Sequence, residues 1–391
     1  MTWKENASRP ADKSLHCHMK KSLFRKEITS VKTLVVKVGS RILTTQDHQK
    51  RVSNLVDDMI LLHKAGVRLI LVSSGAIAHG MKVLGLEKRP STIPLQQACA
   101  AIGQNRLMQV YQDYFSQHKI PIGQVLLTWD DLRSKKRYFN LRNTMFQLLE
   151  CGAIPIINEN DSVGVEEIQF GNNDILGAQV ALLVQADVFV NLTDVGGLYD
   201  RNPHADKSAV HIPVVSQMSS SVHKMAGDLK NELSVGGMAT KLKAAEIVTR
   251  AGMFSLIGDG FDQRLTDVLT NDKCATLFIP SDHRMSSRQR WIAFTGQSSG
   301  VIFVDEGAGK AIVEKGKSLL PAGIIEIKGN FKAGDKVEIR TRDGKLIAGG
   351  LANYSAEEVK SIKGCRSSEI AARLGRKSFD EVIHRDNLAV L

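Results

Sequence analysis

Two lysines, one loop crowded with asparagines and carboxylates, and several glycine turns are the residues of this 391-residue chain best suited to chemistry. Lys37 sits near the end of the apolar run TLVVKVG, just ahead of Gly39-Ser40. A lysine there costs desolvation unless an anion meets it or its stem carries the ammonium out to water, and both readings stay open. Lys241 lies in SVGGMATKLKAAE, where two glycines precede a helical pattern. Glycine N–H groups and a lysine together form a cradle for phosphate. In LVSSGAIAHG an apolar run passes through Ser73-Ser74-Gly75 into another helical pattern. Exposed N–H groups at such a start suit a carboxylate or phosphate, and a helix capped by Ser74 is the alternative. NLTDVGGLYDRNP adds Thr193-Asp194 and two glycines that let backbone approach a ligand closely.

The segment Ile157–Asp174, INENDSVGVEEIQFGNND, holds four asparagines and five carboxylates in eighteen residues, directly after the apolar run AIPII. A metal cage, a solvated loop and a site for a small charged molecule would all be written this way. Neither GxxxxGK[ST] nor GxGxxG occurs, and spacing yields no Ser/His/Asp arrangement. Two lysines, glycine turns and an Asn/Asp loop suit phosphoryl transfer, which needs positive charge and positioning more than a covalent catalyst.

These residues must be positioned by the elements around them. From about Thr33 short β-branched runs alternate with longer helical patterns. RVSNLVDDMILLHKAG places Val52, Leu55, Val56, Met59 and Leu62 on one helix face, with Gly66 as its stop. VRLILVSSG, IGQVLLT, AIPII, DVFVNLT, MFSLIG and ATLFIP read as strands; Gln96–His118, FNLRNTMFQLLECG, ILGAQVALLVQA and MATKLKAAEIVTRAG read as helices. The alternation predicts an α/β domain with a mostly parallel sheet covered on both faces, and ligands beyond its C-terminal strand ends. The candidate residues all follow strand ends.

The pattern changes near Ser281. Residues 281–288 read as a polar, basic linker, and 290–364 hold short strands and glycine turns, with a hairpin at Asp343-Gly344. This predicts a small β-barrel with a short helix in AGKAIVEKGK. The basic run RSKKR (133–137) reads as a solvated helix start. No apolar run approaches the roughly 20 residues that span a bilayer, and the N-terminus lacks the apolar stretch of a signal peptide. A cytoplasmic location is expected. Five scattered cysteines without CxxC argue against a disulfide framework; His16-Cys17-His18 lies in a polar leader expected to have no fixed structure. The net charge of +11 is concentrated at the ends: residues 1–30 carry +4 and 289–365 carry +3, against +3 for the long middle 31–288. That permits nucleic-acid contact without demanding it.

Several of these motifs, in this order, closely resemble the amino acid kinase family in the branch that acts on glutamate: VVKVGSRIL, LVSSGAIAHG, QQACAAIGQNRLM, IPIINENDSV, FGNNDILGAQVA, LTDVGGLYDRNP and GGMATKLKAAEI. RWIAFTGQSSGVIFVDEGAGKAI through GNFKAGDKVEIR is similar to the PUA domain. The resemblance covers roughly 31–385. It implies a three-layer α-β-α amino acid kinase fold with a mainly parallel central sheet, plus a small C-terminal PUA-like barrel. The implied boundaries are an N-terminal extension over 1–30, a catalytic domain over 31–280, a linker over 281–288, a PUA domain over 289–365 and a tail over 366–391.

The implied activity is ATP-dependent phosphorylation of the γ-carboxylate of L-glutamate to L-glutamyl 5-phosphate, the first step toward proline. ATP and Mg²⁺, inhibition by proline and a homo-oligomer (dimer or tetramer) come with it. By residue, Lys37, Lys241 and Asp174 would be catalytic; Ser74, Asp161 and Asn173 would bind glutamate. Lys37, Thr193, Asp194, Val235, Gly236, Gly237, Met238, Ala239, Thr240 and Lys241 would bind the nucleotide. The chain departs from the family pattern at Val235, usually Thr, and at Asn172, usually Asp. The VGVEEIQF stretch is expected to form a flap over the site. Two alternatives are a kinase for N-acetylglutamate or aspartate, and an RNA-binding protein acting through the PUA-like part.

Overall fold

A computed structural model describes residues 24–28, 30–45, 47–164, 173–203, 205–225, 237–281 and 285–391. His16-Cys17-His18, most of the expected flap, Asn172, Val235 and Gly236 lie outside the described residues. The chain divides into two compact units, bounded as Met1–Trp129 with Leu141–His283 and as Asp130–Asn140 with Arg284–Leu391. Among the described residues no helix is long and apolar enough to cross a membrane.

The first unit is built on eight strands: β1 (Thr33–Val38), β2 (Arg68–Val72), β3 (Ile122–Leu127), β4 (Ile154–Glu159), β5 (Val188–Thr193), β8 (Val214–Val215), β9 (Phe254–Asp259) and β10 (Ala275–Phe278). A separate small hairpin pairs β6 (Leu198–Tyr199) with β7 (His211–Ile212). The order across the large sheet is β3-β4-β2-β1-β5-β9-β10-β8. Neighbours from β3 to β9 run parallel, and β10 turns antiparallel to β9. The chain leaves β1 toward β2 and later returns on the opposite side at β5. The strand order therefore reverses at β1, and the crevice beyond its end is where such sheets bind ligands.

Alternation along β1 decides which face each side chain serves. Leu34, Val36 and Val38 join one apolar cluster with the buried faces of α2 (His48–Lys64) and α4 (Ile93–Ser116). Val35 and Lys37 therefore point to the other face. There α6 (Asn173–Val184) packs on β1 and β5, and α7 (Met238–Arg250) packs on α6 and β9. These are the three layers. A Cβ at Gly177 of α6 would lie 2.9 Å from Phe189 and 3.3 Å from the Lys37 Cβ, so glycine lets this helix settle directly onto the strands.

Several boundaries differ from the sequence expectation. α4 begins at Ile93 rather than Gln96. α5 (Lys135–Glu150) starts within the basic run, as RSKKR reads, and so takes in Lys135–Arg137 ahead of FNLRNTMF. The helix expected from Ile175 starts two residues earlier, so Asn173 and Asp174 belong to the first turn of α6. The N-terminal extension also departs from expectation where it is described. Phe24 and Ile28 are buried, and Arg25 donates to the carbonyls of Pro213, Asn271 and Ala275.

The second unit holds a five-stranded sheet, β12-β11-β13-β14-β15, antiparallel except where β11 runs beside β13. The strands are β11 (Gly300–Val304), β12 (Ile324–Gly329), β13 (Lys336–Thr341), β14 (Leu346–Leu351) and β15 (Leu388–Val390). Gly344 has φ +88° in the β13–β14 turn, as the Asp-Gly pair requires. Residues 366–391, expected as a tail, supply β15, because Leu388 and Ala389 are apolar and bury against the core.

Close packing of α3 (Ala76–Val83) on α4 fixes the Ser73-Ser74-Gly75 turn that precedes α3. A Cβ on Gly103 of α4 would fall 1.8 Å from the Ala76 carbonyl oxygen. That contact involves backbone and cannot be relieved by a rotamer change. Gly103→Ala is expected to destabilise the fold by about 2 kcal/mol or more, which denaturant-midpoint measurement on the purified variant would check.

Candidate active site

The end of β1 delivers Lys37, and the first turn of α6 delivers Asp174. Lys37 is 5% exposed, so its stem does not carry the ammonium out to bulk solvent. It instead meets the Asp174 carboxylate, with Nζ to Oδ1 at 2.5 Å. Lys241, one turn into α7, approaches the other carboxylate oxygen at 3.4 Å. Thr240 donates to that same Oδ2 at 2.8 Å, and Asn191 of β5 donates to Oδ1 at 3.0 Å. One buried carboxylate is thus met by two ammonium groups, a hydroxyl and an amide.

The electrostatics follow from this geometry. Burial pushes the Asp174 carboxyl up, but Lys37, Lys241 and the hydrogen bonds from Lys37 and Thr240 outweigh it and hold it well below the ordinary carboxylate range. Burial lowers the Lys241 ammonium, opposed by Asp174 and reinforced by the like charge of Lys37.

A second polar group lies alongside. Ser74 does not cap α3, which starts at Ala76 with Gly75 as its cap and no side-chain cap bond. Its Oγ accepts from the Asn173 amide at 2.8 Å, and the same Nδ2 lies 3.3 Å from the Ser73 carbonyl and from Asn158 Oδ1. Asn158 in turn donates to Gln104 Oε1 at 2.9 Å. Asn173 and Asp174, adjacent in sequence, thus serve two neighbouring clusters from one helical turn.

Both clusters open on a cleft of about 910 Å³ whose wall includes Lys37, Ser74, Asp161, Asn173, Thr193, Asp194, Gly237, Met238 and Lys241. Asp161 also lines an adjoining hollow of about 310 Å³ with Gln104 and Asn160. It is 5% exposed, and its buried Oδ1 has no hydrogen-bond partner among the described residues. Burial raises its carboxyl to about 7, with Arg89 opposing. Thr193 donates to Asp194 Oδ1 at 3.1 Å, and Asp194 forms an ion pair with Arg41. Ala239 is half-buried in α7 and does not line the cleft.

The structure therefore gathers the predicted Lys37, Ser74, Asp161, Asn173, Asp174, Thr193, Asp194, Thr240 and Lys241 around one crevice. Sequence reasoning did not single out Asn191 or Arg41, and it did not single out Asn158 within its loop. An asparagine inside the apolar runs VFVNLT and IPIINE was a readable signal, since a buried amide needs partners. The arrangement can bind anions at the two lysines and can hold a cation or ammonium at Asp161.

Family models match two parts of the chain separately. The amino acid kinase family model matches residues 32–258, and the PUA domain model matches residues 300–374. A glutamate 5-kinase of Syntrophotalea carbinolica (strain DSM 2380 / NBRC 103641 / GraBd1) is 45% identical over 371 residues, covering 94% of this chain and 100% of the relative. A glutamate 5-kinase of Syntrophus aciditrophicus (strain SB) is 44% identical over 367 residues, covering 93% and 95%. Among solved structures, a carbamate kinase from Giardia lamblia bound to AMP-PNP matches 64% of this chain and 99% of its own, at 20% identity and a TM-score of 0.44.

Removal of the shared carboxylate would leave Lys37 and Lys241 as buried like charges. Breaking a buried pair in this way costs about 3–5 kcal/mol. Asp174→Ala is expected to lose stability of about that size, read as a lower urea midpoint with an unchanged slope.

Proposed function

The chain belongs to the amino acid kinase family, among the glutamate 5-kinases, and on that premise we propose that it transfers the γ-phosphoryl group of ATP to the γ-carboxylate of L-glutamate. The product is L-glutamyl 5-phosphate, the first intermediate toward proline. The observation that carries this reading is the convergence of Lys37 and Lys241 on Asp174 at the head of the cleft.

The acceptor needs no general base. A glutamate side-chain carboxyl has a reference pKa of about 4.3, so near pH 7 it is ionised by roughly 500 to one. The obstacle is bringing an anionic nucleophile to an anionic phosphate. Lys37 and Lys241 would bind the phosphate chain and stabilise charge on the transferring group, with Asp174 positioning both ammonium groups. Mg²⁺ carried on the phosphates would neutralise part of their charge. Thr193, Asp194 and the 235–241 segment would hold the nucleotide.

Ser74 and Asn173 would orient the acceptor, and Asp161 would pair with its ammonium. The unpartnered, buried oxygen of Asp161 supports that assignment, because a buried carboxylate gains most from a cation that reaches it. Within this reading the catalytic part runs over 31–280 and the PUA domain over 289–365. Proline as inhibitor and a homo-oligomeric state rest on the family resemblance.

Hydroxamate trapping of the acyl phosphate, run side by side on L-glutamate, N-acetyl-L-glutamate and L-aspartate, tests the reading. Glutamate should be preferred by at least tenfold in kcat/KM, and a preference for either competitor would overturn it. Lys37→Ala and Lys241→Ala should each lower kcat at least tenfold at saturating substrates.

The pH dependence has a definite sign. Asp161 must be ionised to attract an ammonium, and its carboxyl is pushed up to about 7. Below that pH it becomes protonated, so kcat/KM for glutamate should fall about tenfold per unit as pH drops from 7 to 5. The fall should flatten in Asp161→Asn, whose value should stay low throughout. Parallel profiles for the two proteins would exclude Asp161 as the titrating group.

A further inference from the structure

Arg41 is a cation of the cleft wall that lies within VVKVGSRIL but has been given no role. It lies four residues beyond Lys37, in the short helix α1 (Ser40–Thr44) that follows β1. The Lys37 ammonium folds back toward this turn: a Cβ on Gly39 would stand 3.9 Å from Lys37 Nζ. Arg41 therefore emerges from the chain beside the reaction centre. Its side chain is 74% exposed, and its guanidinium pairs with Asp194, which is itself partly exposed just past β5.

The charge balance of the site gives this residue a task. Lys37 and Lys241 share one carboxylate, so their cluster carries a single net positive charge. A triphosphate chain and an acceptor carboxylate together bring several negative charges. Arg41 adds positive charge at the same strand end, and its planar fork can take two phosphate oxygens at once, which an ammonium cannot. Its ion pair with Asp194 is solvent-screened and easily exchanged. A phosphate oxygen can therefore replace the Asp194 carboxylate without leaving a buried charge unpaired.

We propose that Arg41 is a third phosphate-binding cation of this site, held ready by Asp194 and transferred to the phosphate chain of the nucleoside triphosphate when it binds. The inference rests on the kinase reading above and extends it to a residue of VVKVGSRIL that the resemblance gives no role.

The test uses Arg41→Met and Arg41→Lys in the full-length protein. Arg41→Met should lower kcat/KM for ATP at least tenfold, leave KM for glutamate within twofold and leave the melting temperature unchanged. Arg41→Lys should recover part of the loss, since charge returns without the fork. A kcat/KM for ATP within twofold of the parent in Arg41→Met would overturn the proposal, as would a change confined to glutamate KM. If the parent protein makes no acyl phosphate from glutamate, the kinase reading fails. Titration calorimetry with MgADP then decides on Arg41: binding at least fivefold weaker in Arg41→Met supports it, and equal binding refutes it.

Discussion

The site depends on one carboxylate shared by two buried ammonium groups. Asp174 sits between Lys37 and Lys241, and each partner makes the others tolerable. Without Asp174, either lysine would face a desolvation penalty increased by the like charge of the other. Asp174 alone would be pushed toward protonation by burial. Together they keep two cations at the head of a cleft, on three separate elements, with Thr240 and Asn191 completing the carboxylate's shell. Such a shell is rigid because every member is hydrogen-bonded and none can rotate away cheaply.

That cluster forms only because the elements come unusually close. Gly177 allows α6 to lie against β1 and β5, and without that approach Asp174 would stand too far from Lys37. Gly80 and Gly103 perform the same service between α3 and α4, which sets the turn carrying Ser74. Both constraints act through backbone separation, so they position chemistry without contributing a polar atom. The strand order adds the rest: reversal at β1 opens the crevice, and period-two alternation along β1 aims Lys37 into it.

Much of this was legible in the sequence, and the illegible part has a physical pattern. Strand-helix alternation predicted the parallel sheet, and the resemblance of seven ordered motifs named polar residues that gather around one cleft. What composition could not reveal was partnership. Lys37 read equally as a cation awaiting an anion or as a snorkelling strand end, because its answer lies 137 residues away at Asp174. Ser74 reads either as part of an anion site or as a helix cap, and its hydroxyl instead accepts from Asn173. The start of α6 was placed two residues late because Asn and Asp are poor helix formers, yet Asp suits a first turn and tertiary bonds hold both there. Arg41 escaped notice because an exposed arginine after a strand is ordinary until its neighbours are known.

Two aspartates in one cleft are pushed in opposite directions, and the contrast bears on which acceptor the site prefers. Asp174 stays charged at every ordinary pH because its cations are built into the fold. Asp161 is buried without such a partner and sits near its midpoint at neutrality. A molecule arriving with an ammonium supplies the missing charge and draws Asp161 into its ionised form, so binding and deprotonation reinforce each other. An N-acylated amino acid brings no positive charge and would leave the same carboxyl buried and unpaired. On the proposed reading, discrimination against it would require no steric clash, because the site would penalise the absent charge. The asparagines around Asp161 would serve the same end, since amides can meet both carboxylate and ammonium while adding no repulsion toward an acidic substrate.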